Sequence, residues 1–134
     1  MSSLDIHDLR RKVLAAREFS LVIDGVSFTL RVPSEHQVQV ASLRSGLGSG
    51  ERHEQGAALL LLRRRLLEEA LIGWAGAKVS HLVPGYEPDE ALDFDPDAVP
   101  LLLDVQGGWA QQLDEALVMR LAERHKPQDT AEKN

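Results

Sequence analysis

The stretch that decides the fold is Phe19–Val32, FSLVIDGVSFTLRV, in which two β-rich runs are joined by Asp24-Gly25. An Asp-Gly dipeptide supplies the positive φ angles of a tight hairpin turn. One face of this hairpin is apolar, because alternate residues of both runs are hydrophobic. These residues are Phe19, Leu21, Ile23, Phe28, Leu30 and Val32. Two strands alone are marginal in water, so the apolar face must rest on helices.

Helices are predicted on both sides of the hairpin. Upstream, Ser3 can cap an amphipathic helix from about Leu4 to Arg17. The apolar side of this helix consists of Ile6, Leu9, Val13 and Ala16. Downstream, Ser34 and Gln37 form a capping-box pattern, which predicts a helix from about Glu35 to Arg44.

A long apolar helix is predicted from Ala57 to Trp74, after a Gly/Ser-rich loop over residues 45–56. Projected at 100° per residue, its apolar residues cover about half of the circumference, so one side must lie in the core. These residues are Leu59, Leu60, Leu62, Leu66, Leu67, Ala70, Leu71, Gly73 and Trp74. Arg63 points into the same arc, where it must reach outward to water or meet a carboxylate.

Two apolar residues of the predicted central helix, Leu61 and Ile72, fall on its opposite side beside Arg65, where a monomer has no need of them. They predict a small apolar ridge. Val118 and Met119 likewise lie outside the core face of the last predicted helix. We therefore predict these five as the partner-binding residues.

The C-terminal half is predicted to be helical after an irregular connection from Lys78 to Leu92. Asp95 can cap a helix that has Pro96 at its first position. Because Pro100 comes too late for a first turn, the helix from Asp97 to Val105 is short, kinked or begins nearer Pro100. The last helix runs from Trp109 to about His125, with its core face on Trp109, Ala110, Leu113, Ala116, Leu117 and Leu121. Trp74 and Trp109 are expected to be core anchors.

These elements predict a mainly helical α+β fold, in which an N-terminal β-hairpin packs on a bundle of four to five helices. Residues 1–18 form an N-terminal helical arm, 19–125 a single helical domain with the hairpin at its start, and 126–134 a flexible polar tail.

Composition limits the classes of function. The net charge of −6 argues against nucleic-acid binding, and the basic runs at residues 10–12 and 63–65 fan out around their helices instead of forming patches. No apolar run reaches the roughly 18 residues that cross a bilayer, and no secretory signal is evident, so we expect neither membrane insertion nor export from the cytoplasm. The chain has no Cys, which excludes thiol catalysis, disulfides and Cys-based zinc sites.

No motif predicts catalysis or cofactor binding. The five His residues never fall at the i, i+4 spacing of a helical metal site. The acidic run from Asp93 to Asp104 resembles a calcium loop but has Ala98 where the sharp turn needs Gly, so helix capping explains it better. The loop from Gly46 to Gly50 lacks the Lys-Ser/Thr ending of a phosphate-binding loop. We expect a protein that is not an enzyme and uses no cofactor or metal.

The order of several short motifs resembles the tail assembly chaperones of long-tailed bacteriophages. They are Leu-Ile-Gly-Trp-Ala-Gly ending at Gly76, Leu-Val-Pro-Gly ending at Gly85, Phe94-Asp-Pro-Asp followed by Ala-Val-Pro-Leu-Leu-Leu-Asp104, then Trp109, and upstream Phe28-Thr-Leu-Arg-Val-Pro33 before a helix. The likeness covers roughly residues 19–122. It departs from the family at Ala77-Lys78, where a Val is expected, and in the Gly-rich loop.

The resemblance implies a non-enzymatic protein of the infected bacterial cytoplasm. Such a protein coats the tape measure protein, helps recruit tail tube subunits and is absent from the finished virion. The partners it implies are therefore the tape measure and tail tube proteins, with a homo-oligomer as an open possibility. Two alternatives stay open: a minor structural tail or head-to-tail component, and a small regulatory adaptor.

Overall fold

The computed structural model describes residues 5–46 and 52–125, which form a mainly helical fold with five helices and a small antiparallel sheet of three strands. The helices are α1 Ile6–Ala16, α2 Glu35–Arg44, α3 Arg52–Ala70, α4 Val99–Val105 and α5 Gly107–His125. The strands are β1 Glu18–Ile23, β2 Val26–Arg31 and β3 Leu71–Ala75, in the spatial order β1-β2-β3.

The predicted hairpin is confirmed. Strands β1 and β2 pair antiparallel, with Phe19 opposite Leu30 and Ile23 opposite Val26. The turn has φ angles of 51° at Asp24 and 80° at Gly25, the positive values for which an Asp-Gly turn is suited. The predicted apolar face points inward, and Phe28 and Leu30 have no exposed surface.

The prediction of one helix from Ala57 to Trp74 is wrong at both ends. Helix α3 begins earlier, at Arg52, and ends at Ala70, where the chain passes directly into β3. Strand β3 pairs with the free edge of β2, placing Trp74 opposite Phe28. An unpaired strand edge carries backbone groups that need partners, and Ile and Trp favour strands over helices. The sheet therefore takes four residues that the helical periodicity had assigned to the helix.

The early start of α3 also corrects the predicted loop over residues 45–56. Residues 47–51 lie outside the described part of the chain, but Gly56 lies inside the helix. Two residues predicted to be buried on this helix are not, since Leu59 is 47% and Leu60 70% exposed. Periodicity gives the side of the helix on which a residue lies, but not whether another element packs against that turn.

The other helices follow their local signals closely. Ser34 and Gln37 form the predicted capping box at the start of α2. Helix α1 is capped by Asp5, which accepts from the backbone N–H of His7 at 3.0 Å; Ser3 and Leu4 lie outside the described residues. A short 3₁₀ turn over Pro96–Ala98 precedes α4, so two of the three predicted alternatives hold: this helix is short and begins near Pro100. Helix α5 begins two residues before the predicted Trp109. The predicted tail over residues 126–134 lies outside the described residues.

The core joins the inner face of the sheet to α3, α4 and α5. Its most deeply buried side chains are Val26, Phe28, Leu30, Leu67, Val99, Leu102, Leu103, Leu113 and Leu117. Trp74 and Trp109 are buried in this cluster, as predicted. The Trp109 indole packs edge-on against Phe28, with ring centroids 5.8 Å apart. Both indole N–H groups find acceptors, Trp74 in the Leu92 carbonyl at 2.8 Å and Trp109 in the Asp24 carboxylate at 2.7 Å.

Candidate partner-binding surface

The apolar side of α1 faces solvent. Ile6 is 69%, Leu9 39% and Val13 53% exposed, and no residue of this helix is buried. An isolated helix of 11 residues is marginal in water, and an amphipathic helix normally gains its stability by burying its apolar side. This helix therefore carries an apolar side that the described part of the chain leaves uncovered.

A second exposed apolar region lies at the three consecutive leucines of α3. Leu59, Leu60 and Leu61 are 47%, 70% and 51% exposed. Leu60 lines a groove of about 480 Å³ between α3 and α5, together with Leu67 and Ala110. Arg63 crosses this groove to pair with Asp114 on α5, so it meets a carboxylate, one of the two outcomes predicted for it. The exposed Leu60 side chain thus adds apolar surface to a groove that is also lined by charged side chains.

The two residues of the predicted ridge, Leu61 and Ile72, lie in different elements. Leu61 and Arg65 line a shallow depression of about 370 Å³ on α3, together with the carboxylates Glu68 and Glu69. Ile72, however, is a partly exposed residue of β3. The projection that joined the two residues assumed a continuous helix, which ends two residues before Ile72. The geometric basis of the ridge is therefore wrong.

The two remaining predicted residues lie on α5. Val118 is 41% and Met119 65% exposed. Val118 comes one helical turn after Asp114 and so lies on the side of α5 that faces α3. Met119 points about 100° away from Val118. A partner-binding role for the five predicted residues stays a prediction.

Sequence reasoning identified α1 as amphipathic but did not assign its apolar side to binding. The signal was present, because Ile6, Leu9, Val13 and Ala16 repeat at the spacing of a coiled-coil seam. What the sequence could not show is that no element within residues 5–46 and 52–125 covers that side.

Charge is unevenly distributed along the chain. Nine carboxylates and no Lys or Arg lie within residues 79–119. Helix α1 has the opposite balance, with Arg10, Arg11 and Lys12 against Asp8 alone. Arg11 pairs with Asp8, which leaves Arg10 and Lys12 without an ion-pair partner among the described residues. The exposed apolar helix is thus a cationic element of an acidic protein.

The described residues contain no group of three or more His, Asp or Glu side chains that could hold a metal ion. No helix within residues 5–46 and 52–125 is long and apolar enough to cross a bilayer. Hydrophobic association with another chain is the chemistry that the exposed surfaces offer.

Comparison with protein-family models, with curated proteins and with solved structures gives no match to this chain.

Proposed function

We propose that this chain is a tail assembly chaperone of a long-tailed bacteriophage. It binds the tape measure protein in the cytoplasm of the infected host, helps recruit tail tube subunits during tail morphogenesis, and does not remain in the mature virion. It acts by binding and not by catalysis. The proposal starts from the order of motifs between residues 19 and 122 and takes its physical support from the exposed helical surfaces.

The observation that carries the proposal is the uncovered apolar side of α1. A protein that keeps a long helical partner soluble must offer apolar residues at helical spacing, since helices are bound through residues three and four apart. Ile6, Leu9 and Val13 have this spacing and exposure. The acidic composition, with a net charge of −6, supports solubility of the complex by self-repulsion.

The fold fits this role in a second way. We infer that the N-terminal hairpin rests on the helices as a rigid base, which holds the first helix away from the core. Arg17, the C-cap of α1, is tied to the end of the hairpin because its carbonyl accepts from the Val32 N–H at 2.8 Å. The hairpin thereby fixes the C-terminal end of α1 and leaves its apolar side accessible to a partner.

Co-expression with the tape measure protein of the same phage tests the proposal. The soluble fraction of the tape measure protein should rise several-fold with the wild-type chain. The triple variant Ile6→Ser, Leu9→Ser, Val13→Ser should lose most of this effect. A matched control changes three apolar residues elsewhere that are at least half exposed, Val22→Ser, Val83→Ser and Leu101→Ser, and should retain the effect.

If the tape measure protein stays equally insoluble with and without the chain, the proposed function is wrong. Detection of the chain in purified particles would instead support a minor structural component of the tail or head-to-tail connection. A chain that binds neither tail protein would leave the regulatory adaptor.

A further inference from the structure

The apolar side of α1 has the pattern of one half of a two-helix coiled coil. Ile6, Leu9, Val13 and Ala16 follow the alternating three- and four-residue spacing of a heptad seam, with β-branched residues at Ile6 and Val13. A helix laid along this seam would cover side chains that are now 39% to 69% exposed.

The residues flanking the seam are cationic. At 100° per residue, Arg10 lies about 80° from the centre of the seam on one side, and Lys12 about 80° on the other. Arg11 points directly away from the seam and pairs with Asp8. The basic run that fans out around the helix thus places one positive charge on each border. Flanking charges of this kind select the partner helix by charge complementarity.

The seam leads into a cleft that continues the same charge. Ala16, its last residue, lines a cleft of about 340 Å³ together with Arg17, Arg120 and Arg124. Arg120 lies over the Phe19 ring at 4.8 Å, and Arg124 donates to the Pro33 carbonyl. None of the three arginines forms an ion pair with a described residue. Two carboxylates, Glu18 and Glu123, also line the cleft. Glu18 is paired with Arg31 at 2.8 Å, which leaves three arginines against Glu123 and an excess of positive charge.

From this continuous surface we infer the chemistry of the partner: α1 and its cleft bind an amphipathic helix whose apolar stripe is bordered by Glu or Asp residues. A second copy of α1 is disfavoured as the occupant, because Arg10, Lys12 and Arg17 outnumber the one border acid, Asp5, and would meet mainly like charges. The inference rests on the proposed function, in that it assigns the partner-binding site of the chaperone to α1. It does not depend on the identity of the partner.

Two synthetic peptides test the inference with the full chain. Both have three heptads (about 21 residues) with Ile and Leu in the seam, and they differ only in carrying Glu or Lys at both flanking positions. Like charges keep each peptide from pairing with itself. Fluorescence anisotropy should give a Kd about tenfold lower for the Glu peptide, because three or more flanking contacts change from attraction to repulsion. This preference should shrink when salt rises from about 0.05 M to about 0.5 M.

Single charge reversals locate the site. Arg10→Glu, on the border of the seam, should reduce the preference for the Glu peptide at least threefold. Arg11→Glu makes the same change in net charge on the opposite side of the helix and should have a smaller effect. Leu9→Ser should weaken binding of the Glu peptide, and circular dichroism should show both the charge and the apolar variants folded, because α1 contributes no buried residue.

Equal binding of the two peptides, or equal effects of Arg10→Glu and Arg11→Glu, would overturn the inference. So would self-association that Leu9→Ser abolishes, which would make a second copy the occupant, or tighter binding to anionic lipid vesicles than to the Glu peptide. The two proposals fail separately. If the chain binds the Glu peptide but does not solubilise the tape measure protein, only the proposed function is contradicted. If it solubilises the tape measure protein but does not prefer the Glu peptide, only the inferred chemistry of the partner is contradicted.

Discussion

At the scale of single residues, Asp24 serves two purposes that a sequence pattern shows only in part. Its backbone adopts the left-handed conformation of the hairpin turn, with φ of 51°. Its carboxylate also accepts the indole N–H of Trp109 at 2.7 Å, which fastens the turn to the start of α5. The turn could be predicted from Asp-Gly alone. The contact to Trp109 could not, because it joins residues 85 positions apart.

We expect Asp24→Ala to lower the free energy of unfolding by about 2 to 4 kcal/mol. The change leaves the Trp109 N–H without its acceptor, which costs about 1 to 3 kcal/mol, and places a Cβ-bearing residue with no polar group in the left-handed region, which adds about 1 kcal/mol. Urea unfolding followed by Trp fluorescence measures the loss.

Asp24→Asn is the matched control, because Asn tolerates the left-handed region and keeps an oxygen for the indole N–H. It should cost less than about 1 kcal/mol. Equal losses for the two variants would mean that the hydrogen bond to Trp109 contributes little.

At the scale of elements, the helices and strands that could be predicted are those with turn or capping residues at their ends. The hairpin has Asp24-Gly25, and α2 has the Ser34 and Gln37 capping box. Strand β3 has no such boundary, because α3 passes into it without a turn. Leu71 and Trp74 are buried in a strand as they would have been in a helix, so their periodicity did not distinguish the two. Their conformation is decided by the free edge of β2, which is a tertiary feature.

Replacing either of two glycines near Trp74 by Ala is expected to change the stability in opposite directions. Gly73 lies in β3, and an added Cβ would meet the Thr29 Cβ at 3.8 Å, an ordinary contact. Gly76 has φ of 88°, and an added Cβ would lie 3.0 Å from the Gly25 carbonyl oxygen. Gly73→Ala should therefore raise the stability by up to about 1 kcal/mol, since Gly weakens a strand. Gly76→Ala should lower it by about 1 to 3 kcal/mol. Thermal unfolding of both variants measures the two changes in stability. Changes of the same sign would contradict this account of the turn.

The exposure of the apolar side of α1 predicts that the Leu9 side chain can be removed with almost no loss of stability. Leu9→Ala, at a side chain that is 39% exposed, should change the free energy of unfolding by no more than about 0.5 kcal/mol. Leu113→Ala makes the same chemical change at a side chain with no exposed surface and should cost about 2 to 5 kcal/mol. Urea midpoints of the two variants compare them directly. A large loss for Leu9→Ala would mean that the apolar side of α1 is covered in solution.

At the scale of the whole molecule, the helices differ in whether they take part in the core. Helices α3, α4 and α5 share one apolar cluster with the sheet, whereas α1 contributes no residue to it. The charges are also unevenly placed: residues 79–119 carry nine carboxylates and no Lys or Arg, whereas α1 and its cleft carry several positive charges without an ion-pair partner among the described residues. A helix that buries no side chain in the core becomes more ordered when a partner covers it. The free-energy cost of this ordering reduces the net affinity for the partner.

This difference between the helices predicts a gradient of amide protection. Amides of α1 should exchange through local opening that costs no more than about 2 kcal/mol, because a helix of this length without a buried side is marginal. Amides of Leu113 and Leu117, in the buried part of α5, should exchange only on global unfolding, at about 5 to 15 kcal/mol. Adding the Glu-flanked peptide should raise the protection of α1 selectively, and adding the Lys-flanked peptide should raise it less. Hydrogen exchange resolved by residue measures all three. If α1 is already as well protected as α5 in the free chain, it is not the loosely held element described above, and its apolar side is not available to a partner.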